Sequence, residues 1–197
     1  MTGAKIGFAT IVVAYPLIVY FGLEYFDARL VAVVLICLAV LRLWVAKNVQ
    51  GLSSLMPQSR LVVIVLLVFG ILTFASNVPV ILQYYPVAMN MLMFALFFGS
   101  LLHPPSIIER IARVTTPELP EAGVAYTRKV TMVWCGFFVC NGSMALYTTL
   151  GTSLGFWAVY NSLVSYSLIG LLLGGEYLVR CVVKRKISMQ AGAGGPH

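Results

Sequence analysis

The feature that most constrains this chain is a succession of six apolar runs, Ile6–Tyr25, Leu30–Ala46, Leu61–Ser76, Ile81–Leu102, Val130–Leu150 and Phe156–Val179. Each is close to the roughly 20 residues that carry a helix across a bilayer. Backbone amides and carbonyls in lipid must find partners inside their own segment, and for isolated runs of this length the helix is the form that does so. Composition agrees: 60% of the 197 residues are hydrophobic, 10% are charged, and the mean hydropathy is +0.96. Soluble domains carry about 25% charged residues, so a water-soluble globular domain is excluded. The expected fold is an all-α, polytopic membrane protein of six transmembrane helices. They form a single domain over 1–183 that includes the loop 103–129, with a basic, flexible tail over 184–197. Pro16 predicts a kink in the first span. No small-x-small cleavage site follows that span and the second begins almost at once, so it reads as uncleaved.

One long polar interval, Leu101–Lys129, separates the fourth and fifth runs. Within it, Ser106-Ile107-Ile108-Glu109 is a capping box, in which a Ser side chain and a Glu three residues later each satisfy orphan amides at a helix start. The turns that follow place Ile107, Ile108, Ile111 and Val114 on one side and Glu109, Arg110 and Arg113 on the other. Thr115-Thr116-Pro117 should end the helix, because the residue before a proline avoids helical geometry. The expectation is a short cytoplasmic amphipathic helix between the fourth and fifth spans.

Charge gives the orientation. Twelve of the thirteen basic residues, all but Arg29, fall on the side of the chain termini and of the polar interval. Basic residues collect in cytoplasmic loops, so both termini and the amphipathic helix are expected in the cytoplasm. The net charge of +7 is accounted for in the same way and requires no nucleic-acid partner.

Helices in lipid approach through small residues. The last run offers Ser162, Tyr166, Gly170 and Gly174 at four-residue spacing. Its Gly170-Leu-Leu-Leu-Gly174 step reads either as a homodimer seam or as a contact within the bundle. Ionisable and polar groups in spans are weighed for function. Glu176 with Arg42 forms one possible pair lining a cytoplasm-facing cavity, together with Asn161 and Asn90; Glu176 with Arg180 one turn later, beside a snorkelling Arg42, is the alternative. Asn141-Gly142-Ser143 and Asn161-Ser162 could line a polar cleft or hold helices together. His103, beside Pro104 and Pro105, is the one catalytic candidate. An acyltransferase H-x(4)-D box would need Asp where Ile108 stands, and a metal site would need more than the single other histidine, His197. The four cysteines form no C-x-x-C pair and read as small apolar residues. No metal or cofactor is expected, and no P-loop, dinucleotide fingerprint, nucleophile elbow or H-E-x-x-H motif is present.

The runs LLHPPSIIERIAR, LPEAGVAYTRKVTMVWCGFFVCNGSMALYT and FWAVYNSLVSYSLIGLLLGGEYLVR resemble a family of bacterial inner-membrane proteins commonly encoded in aryl-polyene-type lipid biosynthesis clusters. More distantly, Tyr15-Pro16-Leu17 and Trp134, Phe137, Phe138 and Gly142 are similar to septation proteins of the YciB/IspZ type. The resemblance implies an envelope-biogenesis role in the inner membrane and carries over no catalytic residue. The leading expectation is a non-enzymatic accessory protein that docks membrane-associated biosynthetic enzymes through a loop bearing Glu109, Arg110, Arg113, Arg128 and Lys129. A small lipid or substrate transporter and an integral-membrane enzyme acting on lipid-linked acyl chains are the alternatives.

Overall fold

The computed structural model describes the backbone of residues 16–48 and 57–193, and side chains over 16–40, 61 and 63–180. The described residues are all helical, without a strand. A helix, α1, is described over 16–25, followed by α2 (Ala28–Asn48), α3 (Pro57–Ser76), α4 (Val80–Gln83), α5 (Tyr85–Leu102), α6 (Ile107–Thr115), α7 (Glu121–Gly151), α8 (Leu154–Val159), a π-helical turn (Tyr160–Val164) and α9 (Ser165–Ala193). Among the described residues three helical stretches are long and apolar enough to cross a membrane: Val80–Leu102, Glu121–Gly151 and Leu154–Arg180. Ala28–Val40 and Val63–Ser76 are shorter apolar helices. The expected first span up to Tyr15 and the polar loop around Gly51 lie outside the described residues.

Two helix pairs form the body, α2 along α3 and α5 along α7. At Gly70, an added Cβ would sit 2.8 Å from the Ile36 side chain. The missing side chain is what lets α2 and α3 close. The α3–α4 turn is set by Asn77, whose φ of 55° is the left-handed conformation that asparagine tolerates at a helix end. Its amide donates to the Thr73 carbonyl at 2.8 Å. The packed core lies between the two pairs, where Val19, Val31, Leu35, Leu82, Tyr85, Ala158 and the fully buried Trp157 meet.

The run expected as one fourth span is broken at Tyr84, which ends α4 and starts α5. Pro86 has no amide hydrogen, so the helical ladder cannot pass through it unchanged. The neighbouring Gln83 carbonyl is held instead from two other helices, by the Thr149 hydroxyl at 3.0 Å and the Trp157 indole N–H at 3.1 Å. Satisfying a helix break from neighbouring side chains is what a non-aqueous surrounding demands. At the other end of the chain, α9 continues past Val179, the expected end of the last span, through Lys184–Lys186 to Ala193, so most of the stretch expected as a flexible tail is helical.

Candidate functional site

The largest concentration of buried polar side chains sits where α5, α7, the π-helical turn and α9 meet. Its centre is Asn141, 5% exposed. The Asn141 amide Nδ2 donates to Asn90 Oδ1 and to Ser165 Oγ, both at 3.0 Å, and its Oδ1 accepts from the Tyr160 hydroxyl at 3.0 Å. Both amide hydrogens and the carbonyl are thus occupied, in three directions, by three different elements. Asn90 anchors its own Nδ2 on the Pro86 carbonyl at 2.8 Å. The close approach of α5 and α7 here requires a glycine: a Cβ on Gly142 would stand 3.0 Å from Asn90 Cβ, an atom fixed to backbone.

The π-helical turn explains how Tyr160 and Ser165 both reach this centre. Widening the helix by one residue shifts the faces on either side and frees carbonyls from their usual amides. Those carbonyls are taken locally. Asn161 Nδ2 donates to the Trp157 carbonyl at 2.9 Å and Ser162 Oγ to the Ala158 carbonyl. Asn161 also reaches across to the Thr148 hydroxyl at 3.3 Å, tying the π turn to α7 a second time. Asparagine and serine at adjacent positions are therefore what makes the wide turn affordable in an apolar medium. The resulting cluster is neutral and internally saturated. Of the two roles open to Asn141 and Asn161 from sequence, holding helices together is the one their bonds perform.

The second polar region is the link from α5 to α7. Ser106 caps α6, its Oγ accepting from the Glu109 amide at 3.4 Å. The reciprocal half of the expected capping box is absent: Glu109 turns to Arg113, with Oε1 2.9 Å from Nε and 2.7 Å from Nη2. A guanidinium at i+4 offers a charge-assisted pair, which outcompetes a neutral amide. Arg113 also donates through Nη1 to the Pro117 carbonyl at 3.1 Å, and Arg110 through Nε to the Pro105 carbonyl at 2.9 Å. Ser100 Oγ accepts from the Ile107 amide at 3.0 Å, so the first turn of α6 is fastened to the last turn of α5. Arg128 on α7 donates to the Leu101 carbonyl at 3.2 Å, placing a cation at a helix C-terminus where the dipole favours it.

Of the five residues expected to dock partners, Glu109 is buried in its pair with Arg113, and Arg110 and Arg128 combine exposure with an internal bond; Lys129 is exposed. The faces of α6 are also divided differently from those expected: Ile107 is buried and Arg110 exposed, as the expected faces would have them, but other positions are exchanged. Glu109 and Ala112 point into the bundle at 6% and 4% exposure, whereas Ile111 and Val114 point outward at 59% and 77%. The Glu109–Arg113 pair neutralises the charge of the inner face, and the small Ala112 lets α6 settle on α7.

The residues expected to border one cavity are dispersed. Asn90 and Asn161 belong to the buried cluster just described. Glu176 is half-buried, its backbone carbonyl accepting from the Tyr126 hydroxyl at 3.3 Å, and it forms no ion pair with Arg180 among the described residues. The side chain of Arg42 lies outside the described residues. A groove of about 540 Å³ does open elsewhere, between α1 and α2, lined by apolar residues that include Leu17, Phe21, Phe26, Leu30 and Val34. His103 is exposed, with Nδ1 3.3 Å from the Gly99 carbonyl. Cys135 is buried, while Cys37 and Cys140 face outward. Among the described residues no group of three His, Cys, Asp or Glu converges as metal ligands would. Gly170 and Gly174 have open space where a Cβ would project, so the contact within the bundle is not formed there among the described residues. The break at Tyr84, the π turn and the saturation of Asn141 were not anticipated. Pro86 and the Asn161-Ser162 pair were the available signals.

No protein-family model, curated protein or solved structure matches the chain.

Proposed function

We propose that this chain is a non-enzymatic accessory protein of the bacterial inner membrane, crossing it six times with both termini and the 103–129 loop in the cytoplasm. It serves cell-envelope or polyene-lipid biosynthesis by docking partner enzymes on that loop. The observation that carries the reading is the bracing of the loop: Ser100 holds the start of α6 to α5, Arg113 ties α6 to the Pro117 carbonyl of the turn that follows, and Arg128 ties α7 to the end of α5. A rigid surface is pre-organised for a partner and loses little entropy on binding. The exposed cations Arg110, Arg128 and Lys129, beside the exposed Glu118 and Glu121, supply its charge pattern. The intramembrane polar cluster is closed on itself, which suits a scaffold rather than a transport path. The likeness of the 101–180 stretch to the aryl-polyene-cluster family supplies the biosynthetic setting.

The test reverses charge only where the side chain is not a strut for the loop. The variant Lys129→Glu should lower co-purification of the biosynthetic enzymes encoded in the same cluster and reduce polyene-lipid yield in cells. Unchanged co-purification and yield would end the docking reading. The open glycine face of α9 supports a companion proposal, a homodimer through Gly170 and Gly174.

A further inference from the structure

The outer face of α6 has the wrong chemistry for water. A short helix at the edge of a protein in aqueous surroundings turns charge outward and apolar residues inward. Here the buried positions include Glu109 and Ala112, and the ridge facing away from the bundle is Ile111 and Val114, with Arg110 on its flank. The medium against that ridge is therefore apolar on one side and anion-tolerant on the other.

Position decides which medium it is. The Ser100–Ile107 bond holds the start of α6 at the last turn of α5, and Arg128 on the Leu101 carbonyl puts the cationic end of α7 at the same level. At 1.5 Å per residue the helix is only ~13 Å long, so its outer ridge cannot travel far from the end of α5. The headgroup layer of a bilayer is ~5–8 Å thick on each side of the hydrocarbon. Leu102, the last residue of α5, is 62% exposed, so the end of that helix also presents an apolar side chain outward.

We propose that α6 is an interfacial helix whose Ile111–Val114 ridge is seated at the headgroup–acyl boundary of the leaflet, with Arg110 reaching an anionic lipid headgroup. Short helices with an apolar face and flanking cations lie at this boundary, and anionic lipids strengthen their hold. The inference rests on α5 and α7 spanning the membrane. It leaves the exposed charges of α7 and the Thr116–Pro120 turn to face the cytoplasm.

The experiment places the photoreactive residue p-benzoylphenylalanine at Val114 in the full chain, reconstituted in vesicles of phosphatidylcholine and phosphatidylglycerol with radiolabelled phospholipid. Leu102 serves as the lipid-facing reference and Glu118 as the water-facing one. Adduct formation at Val114 within twofold of Leu102, and at least fivefold above Glu118, supports the proposal. Yield falling at least twofold in pure phosphatidylcholine supports the anionic preference, and equal yield removes it. Labelling at Val114 no greater than at Glu118, with Leu102 still labelled, overturns the interfacial helix while leaving the spanning helices intact. Failure to label Leu102 overturns the premise as well. Adducts from Val114 to another polypeptide instead of lipid, in native membranes, also overturn it.

Discussion

Replacing Asn141 with alanine removes the node on which α5, α7, the π turn and α9 converge. Three hydrogen bonds of 3.0 Å disappear at once, to Asn90, Ser165 and Tyr160. Side-chain bonds between membrane helices average about 0.6 kcal/mol each, so their direct loss is about 2 kcal/mol. Two of the abandoned partners are themselves buried, Tyr160 at 8% and Ser165 at 7% exposure. A buried hydroxyl left without a partner costs about 1–3 kcal/mol. Ser165 can turn back to a carbonyl of its own helix, as helical serines do, but the Tyr160 phenol has no such local recourse. The expected destabilisation of Asn141→Ala is therefore about 3–4 kcal/mol, measured as reversible unfolding in mixed micelles or bicelles. Tyr160→Phe alone should cost about 1 kcal/mol. In the double variant it should add little, since the orphaned phenol is gone. A loss below about 0.5 kcal/mol for Asn141→Ala, or strict additivity with Tyr160→Phe, would refute the idea that the cluster locks the helices.

Four further outcomes follow from particular contacts. Gly142→Ala should cost about 1–3 kcal/mol, because the new Cβ meets Asn90 Cβ at 3.0 Å and neither atom can swing away; the same unfolding assay reads it. Thr73→Val should be neutral or slightly stabilising, since the Thr73 hydroxyl is fully buried without a hydrogen-bond partner among the described residues and valine keeps its shape. Glu109→Ala should free Arg113 from its brace and make the Thr116–Pro120 turn a faster site of limited proteolysis, with the bundle itself intact. Gly170→Leu combined with Gly174→Leu should abolish any energy transfer between differently labelled copies in bicelles while leaving monomer stability within about 0.5 kcal/mol, because no described residue lies within reach of a Cβ at either position.

The elements the sequence made legible are those governed by local chemistry. Ser106 caps α6, and the helix stops at Thr115 before Pro117, because capping and proline act within a turn. The apolar runs among the described residues are helical for the same reason, three of them being long enough to cross a bilayer. What could not be read is set by competition between distant groups. The sequence reading sends Glu109 back to the Ser106 amide, yet Arg113 draws it away, and the pair packs inward while Ile111 and Val114 face outward. Asn90 and Asn161 are read from the sequence as bordering one cavity. In space Asn90, on α5, bonds Asn141, and Asn161, inside the π turn, bonds Thr148, so each ties α7 to a different element. The break at Tyr84 depends on Thr149 and Trp157, donors supplied from far along the chain.

The central claim is that the chain crosses the bilayer six times and keeps its cationic loop on the side of its termini. Alkaline phosphatase, active only outside the cytoplasm, can be fused after Asn77, after Thr116, after Thr152 and after Lys186 in expressing cells. The account predicts strong activity from the Asn77 and Thr152 fusions and background activity from the Thr116 and Lys186 fusions. Activity after Lys186, or the same readout on both sides of α7, would contradict it.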